Sequence, residues 1–461
     1  MMDLSGYIER IKNTSICVIG AGISNRPLIR LLLTSGCSVT VCDKRNAEQL
    51  NADDLELIAL GAKYKLGEDY LSGLDAEIIF RTPGLMPFDK NLQEAKNRGA
   101  VITSEMEVFF SLCPCRIIAV TGSDGKTTTS TLIAELLREE GYTVHLGGNI
   151  GKPLLCEVPF MKRDDYAVLE LSSFQLHSMN CRPDTAVITN ITPNHLDKHK
   201  NFEDYVEAKK NIFLNQDNKG RLVLNRDDDI CRPFSDETNA ELYWFSLSEK
   251  VSKGYWFDGH SIFRSDGSEQ KSVLARENIT IPGLHNIANY MTALCAVDGL
   301  VSEETIRKVA RDFRGVEHRL ETVRVLRGVT FINDSIASSP TRTVAGLKAL
   351  PVKPIVILGG YDKKLDFAPL GDGVCQYAKA AFLTGATAEK ILGAIKGSSF
   401  YAKYKPEVFL EKDFDSNFRN ACEYASSGDT VILSPACASF DRFKNFEDRG
   451  NHFKKLVMEL K

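Results

Sequence analysis

The chain has 461 residues, 43% of them apolar and 26% charged, which is enough for several buried cores and excludes a disordered or fibrous protein. Lys and Arg number 57 against 61 Asp and Glu, a formal charge of -4, so no general polyanion-binding surface follows and phosphate chemistry must rest on local cations. At roughly 150 residues per domain the length predicts about three domains. The opening MMDLSGYIERIKN lacks the basic and apolar regions of a signal peptide, and no apolar run approaches the ~18 residues of a membrane span. Twelve cysteines are scattered, Cys113 and Cys115 being the closest pair, with no CxxC or Cys/His metal spacing. A cytoplasmic protein with reduced thiols is expected, with neither a membrane nor a nucleic acid as partner.

Strand, turn and helix then alternate in three successive blocks, the pattern of an α/β protein with largely parallel sheets. The first block has an apolar strand over 15–19, Gly20-Ala21-Gly22, a helix over 26–34 and a strand over 38–42 that ends at Asp43. With Asn25 in place of the third glycine this is a weak dinucleotide fingerprint, and it predicts a nucleotide in the crevice of an open sheet. A strand over 77–80 stops at Thr82-Pro83-Gly84, whose backbone N–H groups are candidates for the same ligand.

The second block opens with a strand over 116–120 and runs straight into Gly122-Ser123-Asp124-Gly125-Lys126-Thr127-Thr128 and a helix to 137. Glycines turn N–H groups toward a phosphate, the helix N-terminus and Lys126 add positive charge, and Thr127 offers a hydroxyl to Mg²⁺. Val120 stands where the strict motif has its first glycine, so a shortened phosphate loop is expected. Strands over 166–171 and 185–190 follow. Glu170 is a carboxylate inside an apolar strand and needs a partner, either a cation beside the loop or a backbone hydrogen bond. His195, alone after the second strand, is a weaker ligand candidate. On a helix over 202–213, Phe202, Val206, Lys209 and Phe213 share a stripe, which puts a lysine on the apolar face. Either the lysine snorkels to water or it turns into a site. Asp227-Asp228-Asp229 reads as a solvated turn.

In the third block, strands over 329–332, 354–358, 380–383 and 430–433 end in Asn333-Asp334-Ser335, Leu358-Gly359-Gly360 and Ser434-Pro435-Ala436-Cys437-Ala438-Ser439, with Lys363 after the second. Hydroxyls and a cation at one sheet edge suit a small carboxylate substrate. Boundaries fall where each series restarts, which gives blocks 1–104, 105–314 and 315–461.

The residues TGSDGKTT at 121–128, GGNIG at 147–151, LELSSFQL at 169–176, NHLDKH at 194–199, the YVEAK ending at Lys209, GLHNIAN at 283–289, EHRLE at 317–321, LGGYDKKLDFAPL at 358–370 and LSPACASFDRFKNFEDRG at 433–450 together resemble the Mur ligase family over essentially the whole chain. The resemblance implies a Rossmann-like N-terminal domain, a central P-loop ATPase-like domain with a parallel sheet, and a Rossmann-like C-terminal domain. It implies an ATP-dependent amide ligase, acting as a monomer, that joins D-glutamate to UDP-N-acetylmuramoyl-L-alanine. UDP would be held by Ile23, Ser24, Asp43, Arg45, Thr82 and Gly84, and the muramoyl-alanine end by Asn149, Ser172 and Gln175. The 122–128 loop with Asn286, Asn289, Arg319 and Asp334 would take ATP. Thr127, Glu170, His195 and a carbamylated Lys209 would bind two Mg²⁺ ions, while Lys363, Ser439 and Phe446 would face D-glutamate. The chain departs from the family pattern at Asp124 and, in the loop after Ser335, at Ile336, Ser338 and Ser339. Three other readings stand against this one: a sibling such as a folylpolyglutamate synthase, a nicotinamide-dependent dehydrogenase built on Gly20 to Asp43, and a P-loop regulator.

Overall fold

A computed structural model describes residues 2–22, 24–194, 198–362 and 365–461 and shows an α/β fold with parallel-rich sheets in three regions. Two compact units divide it, Met1–Phe313 and Arg314–Lys461. The first unit holds two sheets and the second holds one. No helix among the described residues is long and apolar enough to cross a membrane.

The first sheet contains β1 (Ile16–Ile19), β2 (Val39–Asp43), β3 (Lys63–Leu66), β4 (Ile78–Phe80) and β5 (Val101–Thr103) in the order β3-β2-β1-β4-β5, parallel throughout. β1 is Ile-Cys-Val-Ile and buried along its whole length, as a parallel strand covered on both faces must be. It has β2 on one side and β4 on the other, so the chain order reverses there and a crevice opens beyond the C-terminal ends.

The second sheet is built from β6 (Arg116–Thr121), β7 (Val144–Gly148), β8 (Tyr166–Glu170), β9 (Thr185–Ile188), β10 (Arg221–Asn225), β11 (Glu241–Ser246), β12 (Lys253–Phe257), β13 (Ser261–Asp266) and β14 (Gln270–Ala275). Its order is β14-β13-β12-β11-β10-β9-β6-β8-β7, with β12 to β14 antiparallel. The reversal falls at β6, between β9 and β8, so the loop after β6 emerges where such sheets hold ligands. Helices Lys126–Glu140 and Leu284–Ala296 cover one face through Leu132, Leu136, Tyr290 and Leu294.

The second unit has β15 (Glu321–Leu326), β16 (Val329–Asn333), β17 (Ile355–Gly359), β18 (Ala380–Thr384), β19 (Glu407–Leu410) and β20 (Thr430–Leu433) in the order β15-β16-β20-β17-β18-β19, only the first pair antiparallel. Two sequence expectations need correction. The helix expected over 202–213 is Phe202–Lys210; its last turn tightens as Ile212 and Phe213 donate to Lys209 and Lys210, and Asn211 donates to Leu176 O at 2.9 Å. The strand expected over 185–190 ends at Ile188; Thr189 N still donates to Thr121 O at 3.0 Å, while the Thr189 side chain and Asn190 bind the loop after β6.

Candidate active site

The segment 122–128 forms a compact turn into the helix Lys126–Glu140. Gly122 has φ 145° and a Cβ there would lie 1.9 Å from Thr189 Oγ1; Gly125 has φ 78° and its Cβ would lie 2.4 Å from Asn289 Oδ1. Side chains are thus excluded by both backbone and space. The second contact also puts Asn289 over the loop, with its Nδ2 donating to Asn286 Oδ1 at 3.1 Å. Ser123 N donates to Asn190 O at 2.8 Å, Asp124 N to Asn190 Oδ1 at 3.0 Å, and Thr189 Oγ1 to Asp124 O at 2.6 Å. Lys126 Nζ folds back onto Gly122 O at 2.8 Å and Ser123 O at 2.7 Å. The straps from Thr189 and Asn190 were not foreseen, since nothing in their spacing relates them to a loop some 65 residues earlier.

The Asp227-Asp228-Asp229 turn is not simply solvated, contrary to expectation. Asp228 Oδ2 accepts from Ile191 N at 2.7 Å, and Asp227 accepts from Ser246 Oγ and Leu247 N at 2.6 Å each. The turn follows β10, which neighbours β9, so these carboxylates meet backbone N–H groups just beyond the strand ends.

Glu170 closes β8 and is 1% exposed. Its Oε1 accepts from Asn149 Nδ2 at 2.8 Å, whereas its buried Oε2 receives no hydrogen bond among the described residues. An unsatisfied buried carboxylate oxygen is costly, and a cation offsets that cost. Of the two partners expected for Glu170, the backbone of the described residues does not supply one. A carboxylate and the hydroxyl of Thr127 are hard oxygen donors of the kind Mg²⁺ takes.

Lys209 is also 1% exposed, so its ammonium does not snorkel to water. Nζ donates to Gly122 O at 2.8 Å and lies 3.3 Å from Thr121 Oγ1, above the Tyr205 ring. Burial, aided by the charge of Lys126, drives its pKa well below the ordinary lysine value, which favours the neutral amine. Beneath it runs a network that motif reading missed. His199 Nε2 meets Ser173 Oγ at 2.9 Å, His199 Nδ1 meets Asp204 Oδ2 at 2.8 Å, and Asp204 Oδ1 meets His177 Nε2 at 3.0 Å. Burial opposes ionisation of Asp204, but its two histidine partners hold its pKa below the usual carboxylate value. Ser172 and Gln175 bind one another as a capping box, Ser172 N donating to Gln175 Oε1 at 2.9 Å.

At the first sheet's crevice, a Cβ on Gly20 would sit 3.7 Å from Thr82, so the two expected turns adjoin. Asn25, at the position of the missing glycine, donates to Ile19 O and Gly20 O at 3.0 Å each and closes the turn with its own amide. Asp43 accepts from Ala21 N at 3.1 Å and from Arg45, whose guanidinium also grips Asp54 at 2.7 Å. A small cavity brings Ser24 together with Gln175, lined also by Asn25, Arg81, Ser104 and Glu105. The fully buried Arg81 donates to Leu85 O, Phe174 O and Ser178 Oγ and so ties β4 to the helix Ser173–Leu176. Gly84 is exposed beside them. Ile23, His195 and Lys363 lie outside the described residues.

In the second unit the three expected loops do meet. Asp334 N donates to Leu433 O at 2.8 Å, Gly359 N to Pro435 O at 2.9 Å, and Tyr361 N to Ala438 O at 2.9 Å. Ser439 is buried, and Phe446 begins the helix Phe446–Glu459, its carbonyl accepting from Ser335 Oγ at 2.8 Å. Arg449, a residue given no role by the motifs, is 2% exposed and joins these loops through Ser335 Oγ, Ser335 O and Ala438 O. Arg319 N donates to Val316 O at 3.0 Å.

Asp334 accepts from Ser434 Oγ at 2.7 Å and Leu320 N at 3.2 Å, yet burial pushes its pKa from 3.8 up to about 6. A raised carboxyl pKa means the folded state holds a proton that the unfolded chain has released between those values. Its favourable contribution is therefore complete below pH 3.8 and lost as pH rises through about 6. Asp334→Asn should accordingly melt above the wild type at pH 7.5, by up to about 3 kcal/mol at 1.36 kcal/mol per pKa unit, with a smaller gap at pH 5. Paired thermal melts check this, and a gap of equal size at both pH values would remove the burial argument.

Residues 120–297 match the Mur ligase middle domain and residues 318–437 the Mur ligase glutamate ligase domain. The chain is 46% identical over 460 residues to a UDP-N-acetylmuramoylalanine--D-glutamate ligase of Acetivibrio thermocellus, covering 99% of both chains, and 44% identical over 459 residues to the enzyme of that name from Clostridium botulinum, again at 99% of both. The chain belongs to the Mur ligase family. Among solved structures, the UDP-N-acetylmuramate-alanine ligase of Thermotoga maritima matches with a TM-score of 0.57 at 16% identity, over 97% of this chain and 100% of that one, a likeness of fold. Mur ligases are ATP-dependent ligases, so the dehydrogenase and regulator readings fall away. In this Mur ligase the closing of the first turn by Asn25, instead of by a third glycine, accounts for the weak dinucleotide fingerprint.

Proposed function

We propose that this Mur ligase joins the amine of D-glutamate to the L-alanine carboxylate of UDP-N-acetylmuramoyl-L-alanine, converting ATP to ADP and phosphate, as a cytoplasmic monomer. The observation that carries the reading is the meeting, in one compact unit, of a phosphate loop, a buried carboxylate oxygen without a donor and a buried lysine on the loop's carbonyl. The substrates follow from the names borne by the full-length relatives.

The division of labour in this reading gives residues 1–104 to UDP, through Ile23, Ser24, Asp43, Arg45, Thr82 and Gly84. Residues 105–314 take ATP on 122–128 with Asn286 and Asn289, and the muramoyl-alanine end on Asn149, Ser172 and Gln175. Residues 315–461 supply Arg319 and Asp334 toward ATP, and Lys363, Ser439 and Phe446 toward D-glutamate. In the first step an alanine carboxylate oxygen bonds to the γ-phosphorus as the bond to the ADP oxygen breaks, giving an acyl phosphate. The D-glutamate amine then attacks the acyl carbon, phosphate leaves with the C–O bond, and the amine proton is lost. Lys126 lies on the loop that would hold the phosphates, where positioning and neutralisation count for more than covalent help. Thr127, Glu170, His195 and carbamylated Lys209 would hold two Mg²⁺ ions, which supply further neutralisation of phosphate charge. The donorless Oε2 of Glu170 fits such an occupant.

The deciding measurement is phosphate release with UDP-N-acetylmuramoyl-L-alanine, ATP and Mg²⁺ across D-glutamate, L-glutamate, L-lysine and diaminopimelate. Release with D-glutamate alone is expected. Activity with L-glutamate on a folate substrate would move the chain to a sibling ligase, and silence with every amino acid would overturn the proposal.

A further inference from the structure

The cysteines show no metal spacing in sequence, but the central sheet assembles one in space. Cys115 directly precedes β6 and Asp165 directly precedes β8; the first residues of those strands, Arg116 and Tyr166, are register partners, and Arg116 N donates to Asp165 O at 3.2 Å. β7 lies on the far side of β8, with His145 as its second residue. The parallel register therefore brings residues from three separate strand starts to one spot at the N-terminal edge of the sheet. The Cys115 thiol, a His145 ring nitrogen and an Asp165 carboxylate oxygen all lie within 4.8 Å of one another. His145 Nε2 is 3.0 Å from Asp165 Oδ2, and Asp165 also accepts from Lys162 N at 2.9 Å. Cys115 and Asp165 are buried while the His145 side chain is 17% exposed, which leaves a path from solvent.

We propose that Cys115, His145 and Asp165 form a three-donor binding site for a borderline transition-metal ion of the Zn²⁺ type, with solvent completing its shell. One sulfur, an imidazole and one carboxylate, with water in the fourth position, are a donor set suited to Zn²⁺ or Co²⁺ and poorly suited to Mg²⁺. Binding forms one metal–sulfur bond and releases the thiol proton of Cys115 to solvent; the imidazole enters neutral, giving up its contact with Asp165. The site is separate from the phosphate loop, which leaves the opposite end of β6 roughly 17 Å away at 3.3 Å per residue. An ion there would staple the starts of β6, β7 and β8, the strands that at their other ends present the loop, Asn149 and Glu170.

The test uses the full chain, reduced, stripped with chelator and kept in excess Mg²⁺ so that oxygen-donor sites are filled, and titrated with Co²⁺ while the thiolate-to-cobalt absorption is followed. A band saturating at one Co²⁺ per chain and bleached by Zn²⁺ is expected. Cys115→Ser should abolish it, and His145→Gln, at a position outside the hydrophobic core, should raise the Co²⁺ midpoint at least about tenfold. Absence of any thiolate band in the wild type overturns the proposal. So does a band whose midpoint His145→Gln leaves unchanged, which would put the metal on other cysteines, and this arm decides even where Cys115→Ser does not fold.

Discussion

Lys209→Ala is expected to lower kcat for phosphate release by at least ~10²-fold, the scale seen when a group that stabilises transition-state charge is removed. The expectation starts from burial. A lysine with 1% exposure, held on Gly122 O and beside the charge of Lys126, cannot remain an ordinary ammonium at little cost. A neutral amine is also the form that attacks CO₂: a nitrogen–carbon bond forms, one proton leaves to solvent, and the product is a carbamate anion. That anion would stand near Glu170 as a second hard donor, which converts a badly placed cation into a useful charge. Small carboxylates should therefore restore part of the turnover in Lys209→Ala, formate and acetate being small enough to enter the space left. Wild-type protein incubated with ¹³C-bicarbonate should show a carbamate carbon resonance that the variant lacks. Unimpaired turnover in a variant that melts like the wild type would remove Lys209 from the mechanism.

How much of this was legible in the sequence divides by the range of the interactions. Ten of the twenty described strands were legible because they are short apolar runs ending in glycine or hydroxyl turns, such as Cys17-Val18-Ile19 before Gly20 and Ile355 to Gly359, a local signal, whereas strands such as the polar β3 and the run β10 to β14 were not read. The phosphate loop was legible for the same reason, and so was the anomaly at Lys209, since a charge on an apolar stripe shows without tertiary knowledge. The groups that shape the site from a distance were not. Thr189 and Asn190 strap the loop only because β9 pairs with β6. Arg449 joins loops whose residues lie 114 positions apart from it in one case, and Asp228 looks like any solvated acid until β10 is laid beside β9. The cluster of Cys115, His145 and Asp165 depends on strand register, which no spacing rule encodes. Motifs record what a ligand requires of contiguous chain; the supports of those motifs come from whichever strand the topology places alongside.

Lys126→Ala should reduce kcat at least ~10²-fold and raise the KM for ATP, because one side chain does two things. With Nζ on Gly122 O and Ser123 O it closes the loop around the space where phosphate oxygens would sit, and it brings a full positive charge to a chain whose net charge is -4. The loop retains other supports: Ser123 and Asp124 still bind Asn190, and Thr189 still binds Asp124 O, so the variant should keep its fold and lose mainly the charge. Lys126→Arg separates the two contributions. Arginine keeps the charge but presents a planar fork in place of the compact ammonium that sits on Gly122 O and Ser123 O. It should therefore recover little of the kcat while recovering part of the affinity for ATP. A kcat in Lys126→Ala within threefold of wild type, with melting unchanged, would mean that the loop does not carry phosphoryl transfer, and the ligase assignment of this segment would have to be abandoned.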